Sequence, residues 1–398
     1  MTLRATLPPA QTGTNQMRHI LVATGVDALG TGCYLAVAPL YLLKVAGLSA
    51  SETGVAFSVS AVVGMVCSVF VGRASELTRV RHLLPWLYGV QGVCFLLFPL
   101  MGSLATALVV MSVVATAERA TAPVRAALIS DIAGADRHLC IARMRTVQNV
   151  SFAAAGLLVI PVLVGDGRSG YTAVTVINTL SFFVAAFFLT AVRPPEKERV
   201  QADGRQPQRL WTALRDRRVL TSMTVDAILY LHVSVFLYLL PVWIATETRL
   251  PKVTISVVFV ANAVVVGFLQ TRVSKGLDSI ATGRRAMIAA AWLLTGSCLF
   301  LLVVPRFPAF PAAAFFTVAM VLLTAAEMLH SGGRWAVSLE LAPPDRRASF
   351  LATFNMGLNV QTILGPMFLT AVVLGHDATG WLGLGGIFLV AGLIALAI

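Results

Sequence analysis

Long apolar stretches alternate with short polar segments along the whole chain. Each stretch runs for about 18 to 25 residues, which is enough to cross the hydrocarbon core of a bilayer. Divided at charged or Gly- and Pro-containing breaks, the pattern predicts an all-α integral membrane protein with twelve transmembrane helices in two pseudo-symmetric six-helix bundles. The predicted helices lie near residues 19–43, 54–72, 83–101, 104–126, 147–165, 171–192, 219–245, 254–271, 286–304, 311–334, 349–374 and 379–398.

The basic residues are distributed unevenly over the predicted loops. Loops after odd-numbered helices hold only Lys44, Arg168, Arg249, Lys252 and Arg306, whereas loops after even-numbered helices are rich in arginine. Because cytoplasmic loops carry an excess of Lys and Arg, we expect the even-numbered loops and both termini to lie in the cytoplasm.

One long polar segment separates the first six helices from the last six. Residues 193–218, "RPPEKERVQADGRQPQRLWTALRDRR", have little apolar content and are typical of a linker. The expected organisation is an N-terminal bundle at 1–193, a cytoplasmic linker at 194–218 and a C-terminal bundle at 219–398.

The two halves share an internal repeat. When Glu118–Arg137 is placed over Glu327–Arg346, a constant shift of 209 residues aligns Glu118 with Glu327 and Arg125 with Arg334. The tripeptide "VDA" at 26–28 recurs at 225–227, at a similar depth in helices 1 and 7. Such duplication is typical of secondary transporters, which move two related bundles about a shared binding site.

Ionisable residues inside the predicted spans fall on every third helix. They are Asp27 in helix 1, Glu118 and Arg119 in helix 4, Asp226 and His232 in helix 7, and Glu327 and His330 in helix 10. A charged residue near the membrane centre costs roughly 2.5–3.5 kcal/mol on insertion scales, so it should face protein or water. We therefore expect helices 1, 4, 7 and 10 to surround a polar interior.

Composition narrows the classes of function. The chain is 57% hydrophobic and 12% charged, with a mean hydropathy of +0.83, and we attribute its formal charge of +12 to cytoplasmic loops rather than to nucleic-acid binding. The five cysteines have no metal-site spacing, and no Gly-rich phosphate-binding loop is present, so we expect no metal, no cofactor and no ATP hydrolysis by this chain. Arginine outnumbers lysine 26 to 4, which favours a GC-rich bacterial gene and a bacterial inner membrane.

The placement of charge resembles the major facilitator superfamily, whose cavity is lined by the first helix of each three-helix repeat. The loop between helices 2 and 3, "GRASELTRVRHLL", is similar to that superfamily's signature loop G-x-x-x-D-R-x-G-R-R. Gly72, Glu76 and Arg81 match it, whereas Leu77 and Arg79 replace the usual Arg and Gly. The resemblance implies a loop that latches one conformation of the transporter.

A second resemblance concerns drug/proton antiporters of the superfamily, many of which carry an Arg in helix 4, where this chain has Arg119. Those antiporters also have a Gly-Pro-rich motif in helix 5. Here helix 5 has only Gly156 and a displaced Pro161, and a Gly365–Pro366 pair stands in helix 11 instead.

Asp27 is the first candidate for proton coupling, because a carboxylate in a desolvated cavity can bind and release a proton near neutral pH. The alternative is a structural ion pair between Asp27 and Arg119. Glu118 and Arg119 can equally neutralise each other, and Asp226 and Glu327 mirror the first-half acids either as functional groups or as relics of duplication.

Other polar residues have structural interpretations at this stage. His232 and His330 are expected to be hydrogen-bonded packing residues. Arg125 and Arg334 are expected to anchor the interface or to pair with Asp131 and Glu340.

Aromatic and amide side chains on the predicted cavity helices indicate the substrate class. Tyr34, Tyr230, Tyr238, Asn355 and Asn359 are candidate cavity-lining residues, although some aromatics belong to the interfacial belt instead. A largely apolar cavity suits small amphipathic organic molecules. The five charged candidates inside the spans, Asp27, Glu118, Arg119, Asp226 and Glu327, have a summed charge of −3 if all are ionised, which favours cationic or neutral substrates.

The leading hypothesis is export of a drug or natural product in exchange for protons by a monomeric, alternating-access transporter. Proton-coupled uptake or facilitated diffusion of a small metabolite remains the alternative. A membrane-embedded enzyme would need a nucleophile–base pair or a metal site, and the two histidines offer no recognised spacing for one.

Overall fold

The computed structural model describes residues 9–77, 80–133, 137–192, 216–342, 350–351 and 354–398. Its regular elements, within these residues, are all helical. They are α1 (Pro9–Lys44), α2 (Ala50–Leu77), α3 (Val80–Leu96), α4 (Leu104–Ala133), α5 (Arg137–Leu158, continued by Ile160–Gly165), α6 (Arg168–Thr190), α7 (Arg217–Leu229, continued by Leu231–Ser234, Val235–Leu239 and Leu240–Glu247), α8 (Val253–Val273), α9 (Ile280–Val303), α10 (Ala309–Leu341), α11 (Met356–Val372) and α12 (Asp377–Ile394).

Eleven of these helices, counted over the described part of the chain, are long and apolar enough to cross a membrane. The remaining one, α11, contributes the shorter apolar segment Leu358–Val372. The predicted all-α, multi-pass membrane fold is therefore confirmed. Of the signature-loop positions, Arg79 lies outside the described residues, as do the surroundings of Gly72 and the side chains of Glu76 and Arg81.

The helices form two compact units. The first unit takes in α1, α3–α6 and α2 from Val59 onward, and the second takes in α7–α12 together with Ser49–Ser58. The predicted linker, apart from Asp216–Arg218, lies outside the described residues.

The assignment of Ser49–Ser58 to the second unit follows from close contacts of the start of α2. Phe57 packs its ring 4.5 Å from that of Tyr238, and the Ser58 hydroxyl accepts a hydrogen bond of 3.1 Å from the backbone N–H of Met367. A Cβ atom at Gly54 would lie 2.4 Å from Thr370 Oγ1, so only glycine allows this approach. Nothing in the local sequence of α2 indicated this division of the helix.

Helix α1 packs closely against α5 and α6 in the first unit. Gly30 allows the approach to α6, because a Cβ atom there would lie 2.0 Å from Ser181 Oγ. Gly32 does the same for α5, where a Cβ atom would lie 2.7 Å from Phe152 Cδ1. Small residues at a helix interface let the two backbones approach closely in a membrane. The α1 segment that carries Asp27 is thereby fixed within the unit.

Helix α7 contains a wide turn. Residues Val235–Leu239 form a π-helical turn that ends two residues before Pro241. Proline has no N–H and its ring clashes with the carbonyl four residues earlier, so a regular helix would be broken here. The extra residue of the wide turn accommodates the ring and lets the helix continue to Glu247.

Polar contacts in each unit join the C-terminal end of α1 or α7 to a neighbouring loop. Lys44, at the end of α1, forms a salt bridge with Asp166, which also accepts a 2.7 Å hydrogen bond from the Tyr171 hydroxyl. Glu247, at the end of α7, accepts a 2.9 Å hydrogen bond from the backbone N–H of Gly375. These ties fix the ends of the two helices that carry Asp27 and Asp226.

The crossing of α9 and α10 depends on glycine, and we expect Gly333→Ala to lower the free energy of unfolding by about 1–3 kcal/mol, the usual cost of overpacking. A Cβ atom at Gly333 would lie 2.6 Å from the carbonyl oxygen of Gly283, and backbone cannot move aside as a flexible side chain can. Thermal unfolding of the purified protein in detergent measures the effect. The control is Gly296→Ala in α9, where the new Cβ would meet only Leu322 Cδ1 at 3.4 Å. Equal stability of the two variants would contradict the prediction.

Candidate functional site

Asp27 is held in α1 by two hydroxyl groups. The Tyr88 hydroxyl of α3 donates a 3.1 Å hydrogen bond to Asp27 Oδ2, and the Thr31 hydroxyl, one helical turn along α1, donates a longer bond of 3.4 Å to Oδ1. The Asp27 side chain is 17% exposed. The carboxylate is thus partly shielded but remains accessible.

Arg125 of α4 is the cation beside Asp27. Its Nη1 lies 3.9 Å from Asp27 Oδ2 and donates a 3.3 Å hydrogen bond to the Tyr88 hydroxyl. The phenol therefore bridges an ion pair whose charged atoms are not in direct hydrogen-bond contact. This corrects the alternative of an Asp27–Arg119 pair, because the face of α4 that carries Arg125, and not the one that carries Arg119, is turned toward Asp27.

A cavity of about 250 Å³ lies beside this pair, within the first unit. Helix α4 contributes Val114, Glu118, Thr121 and Arg125, whose spacing of four, three and four residues places them on one helix face. The remaining lining residues are Asp27, Ala28, Thr31, Tyr34, Leu35, Tyr88, Gln91, Phe95, Gln148, Phe152, Asn178 and Phe182. The cavity thus combines two carboxylates and a guanidinium with amide, hydroxyl and aromatic groups.

The candidates Glu118 and Tyr34 both line this cavity. Glu118 is exposed, whereas Tyr34 is buried and packs edge-on to Phe95, with ring centroids 4.8 Å apart. Arg119 is half-buried and, among the described lining residues, is absent from the cavity wall.

The second unit contains a tighter ionic cluster around Asp226 of α7. His330 Nε2 lies 3.0 Å from Asp226 Oδ1, and Arg334 Nε donates a 3.0 Å hydrogen bond to Asp226 Oδ2. The side chains of Asp226 and His330 are 0% and 1% exposed. The charges are therefore paired and removed from solvent, as buried charges need to be.

Aromatic and amide groups complete this cluster. The Arg334 guanidinium stands 5.2 Å from the centre of the Tyr230 ring and donates a hydrogen bond to the side-chain oxygen of Asn355. His232 donates from Nδ1 to the carbonyl oxygen of Leu229 at 2.7 Å, and its ring meets the His330 ring edge-on at 5.6 Å. The candidates Asp226, Tyr230 and Asn355 therefore belong to one buried network.

The two ionic clusters occupy equivalent positions of the internal repeat. In each unit the Asp of the "VDA" tripeptide pairs with the Arg that the 209-residue shift aligns, Arg125 in one and Arg334 in the other. The same shift aligns Thr121 with His330. The histidine supplies an additional hydrogen bond to the carboxylate in the second unit. There the Asp–Arg distance is shorter, and both side chains are less exposed than in the first unit.

The other candidates have separate environments. Glu327 accepts a 2.8 Å hydrogen bond from the Asn262 side chain of α8, which also donates to the Thr324 hydroxyl at 3.2 Å. Tyr238 packs on Phe57, and Asn359 is half-buried on α11. Within the described residues, no group of three or more His, Cys, Asp or Glu side chains could hold a metal ion.

The expected partners of the two arginines near the ends of α4 and α10 need correction. Arg334 binds Asp226 and not Glu340, which instead accepts a hydrogen bond from the backbone N–H of Ile280 at the start of α9. A carboxylate is favourable at a helix N-terminus, which explains this alternative partner. The side chain of Asp131 lies outside the described residues.

Comparison with known families gives this arrangement its context. The family model described as Major Facilitator Superfamily matches residues 20–366, most of the chain. The chain belongs to the Major Facilitator Superfamily. It is thus a multi-pass membrane transporter, and the two ionic clusters lie on the first and fourth helices of each half of a superfamily fold.

Solved structures of other transporters share the fold. A mutant of the nucleoside transporter NupG matches with a TM-score of 0.76 and 12% identity, covering 96% of this chain and 98% of that one. A mutant of the peptide transporter POT matches with a TM-score of 0.76 and 12% identity, covering 99% and 98%. No curated protein matches the sequence. The low identities mean that these structures support the fold and carry no information on the substrate.

Sequence reasoning missed Tyr88, Gln91 and Asn178, because uncharged residues in α3 and α6 give no signal against an apolar background. It also underrated Arg125. The spacing of Glu118, Thr121 and Arg125 could have revealed that residue, since positions seven apart return to the same helix face after two turns.

Proposed function

We propose that this superfamily member exports small lipophilic organic compounds in exchange for protons. The observation that supports this most is the loose Asp27–Arg125 pair beside the cavity. Its charged atoms lie 3.9 Å apart and share the Tyr88 hydroxyl. A carboxylate held this way can exchange a neighbouring cation for a proton without breaking a fully buried network.

The coupling step follows from charge balance. A proton on Asp27 removes its attraction for Arg125, and a bound cationic substrate and a proton compete for the same negative charge. A ligand shifts a conformational equilibrium only by its different affinity for the two states, and this competition provides that difference. The membrane potential adds about 2.3 kcal/mol per 100 mV for each charge moved.

The cavity walls favour amphipathic substrates. Aromatic rings of Tyr34, Phe95, Phe152 and Phe182 form one part of the lining, beside its charged, hydroxyl and amide groups. Aromatic surface of this kind can hold the apolar body of a ligand, while the polar groups orient it. We further propose a monomer in the bacterial inner membrane, whose bacterial origin is favoured by the excess of arginine over lysine. Both termini are placed in the cytoplasm on the basis of the loop charges.

Proton-coupled uptake or facilitated diffusion of a small metabolite is a second candidate, favoured by one observation. Three side-chain amides, Gln91, Gln148 and Asn178, line the same cavity and suit a substrate rich in hydrogen-bonding groups. The similar folds of NupG and POT belong to proteins described as nucleoside and peptide transporters.

The two functions are separated by the direction of proton movement. In respiring everted vesicles, tetraphenylphosphonium should release protons from the acidified lumen if the chain is an antiporter. Uridine or dialanine added to whole cells should instead alkalinise the medium if it is a symporter. Vesicles without the transporter provide the background. Failure of a panel of lipophilic cations to release protons would contradict export by antiport.

A further inference from the structure

We propose that Asn178 of α6 is a substrate-binding residue, and that the cavity in the first unit takes an amine-bearing head group with an adjacent hydrogen-bond acceptor. The inference rests on the proposed function and specifies its substrate class. It adds α6 to the helices whose side chains contact the cargo.

The side-chain amide of Asn178 is only half satisfied. The residue is 1% exposed and lines the cavity. Its Oδ1 accepts a weak hydrogen bond of 3.4 Å from the Ser181 hydroxyl, whereas its Nδ2 has no partner among the described residues. Buried amide groups are nearly always paired, because an unmade hydrogen bond costs the full desolvation of the group. A ligand acceptor in the cavity would supply the missing partner.

The position of Asn178 is fixed by the close approach of α1 and α6. A Cβ atom at Gly30 would lie 2.9 Å from Asn178 Oδ1, so the amide oxygen is packed against the α1 backbone. The amide nitrogen is the remaining polar atom on a side chain that lines the cavity. Asp27 lies less than one helical turn from Gly30 along α1, so a small ligand can reach both groups.

The charges that line the cavity favour a positively charged group, the amine, in the ligand. Asp27 and Glu118 are negative and Arg125 is positive, which leaves a net charge of −1 when all three are ionised. Glu118 is exposed, so its carboxylate is accessible to an ammonium group. A protonated amine would restore neutrality, and the aromatic walls would accept its apolar substituents and attract its charge.

The size of the cavity limits what enters it. Its volume of about 250 Å³ is slightly below the roughly 300–1,000 Å³ typical of sites for drug-sized ligands. The cavity therefore suits a head group rather than the whole of a bulky molecule. An amine joined to a carbonyl by a short linker matches the separate positions of the carboxylates and the Asn178 amide.

The experiment compares two lipophilic cations on the purified full-length protein. Tetracaine carries an amine and an ester carbonyl, whereas tetraphenylphosphonium is a cation without an acceptor. Asn178→Leu keeps the side-chain size and removes the amide, and we expect it to weaken tetracaine binding about five- to tenfold, the effect of one uncharged hydrogen bond. Tetraphenylphosphonium binding should not change. Thr179→Val is the matched control, because Thr179 is buried next to Asn178 and, among the described residues, its hydroxyl bonds to its own helix at the Thr175 carbonyl.

A measurement on the unaltered protein guards against misfolding of the variant. An analogue of tetracaine in which methylenes replace both the carbonyl and the ester oxygen keeps the tertiary amine and lacks the acceptor, and it should bind about five- to tenfold more weakly than tetracaine. Equal binding of the two compounds, an unchanged tetracaine affinity in Asn178→Leu, or no binding of tetracaine would each overturn the inference. The vesicle assay with tetraphenylphosphonium decides the proposed function separately, since it requires no acceptor group.

Discussion

Replacing Arg334 with methionine should lower the free energy of unfolding by about 3–5 kcal/mol, the usual cost of removing one partner from a buried ion pair. Asp226 is fully buried, and its carboxylate accepts two hydrogen bonds of 3.0 Å, one from Arg334 and one from His330. Without the guanidinium, the carboxylate would remain in the protein interior with only His330 beside it. Unfolding in detergent, followed by tryptophan fluorescence, measures the loss.

Two further variants define the cause of that loss. The double variant Asp226→Asn with Arg334→Met removes both charges, and it should recover most of the stability, because replacing a buried pair by neutral groups is often tolerated. Arg125→Met is the matched control in the first unit. Its pair is 17–20% exposed and 3.9 Å long, so its loss should cost no more than about 1 kcal/mol. Equal destabilisation by Arg125→Met and Arg334→Met would show that the second pair is not the stronger one.

Asp27→Asn should reduce substrate-driven proton release in everted vesicles to the level of vesicles without the transporter. The amide keeps the size of the side chain and can still accept the hydrogen bond from Tyr88, but it binds and releases no proton in the physiological range. The fold should persist, because the site is partly exposed and Arg125 keeps its contact with the Tyr88 hydroxyl. The readout is fluorescence of a pH-sensitive dye on addition of tetraphenylphosphonium.

Exchange of labelled for unlabelled tetraphenylphosphonium separates coupling from transport. This exchange needs no proton movement, so Asp27→Asn should retain it if Asp27 serves coupling, but at a higher substrate concentration, because only Glu118 then remains as a negative charge in the cavity. Glu327→Gln provides the comparison, because Glu327 is bonded to Asn262 outside the Asp27 cavity and should leave proton release intact. Full proton release by Asp27→Asn would assign the coupling role to a different acid.

The membrane fold could be predicted from the sequence because its physical requirements are visible residue by residue. Each helix needs an apolar run of fixed length, and a charge within such a run is expensive enough to be confined to protein or water. Asp27, Asp226 and Glu327 stand out for this reason. In the structure, Asp226 is paired inside the second unit and Asp27 lies beside a cavity of the first.

The pairing of the charges could not be predicted in the same way. Arg119 and Arg125 both lie in α4, and their distance along the sequence does not reveal which face of the helix is turned toward α1. That choice depends on packing, for which the glycines of α1 and the small residues of α6 are responsible. Tyr88 and Asn178 carry no charge, so their contribution became apparent only from the positions of α3 and α6. The grouping of Ser49–Ser58 with the second unit likewise depends on contacts between residues far apart in the sequence.

The replacement of Thr121 by His330 at equivalent places of the repeat has a consequence for the evolution of this gene. Its two copies are no longer interchangeable: a hybrid encoding the first half twice would lack the imidazole that seals the second carboxylate. The hydrogen bond from the imidazole is therefore specific to the second half of the chain, whereas the more exposed carboxylate of the first half is held by hydroxyl groups and a more distant arginine.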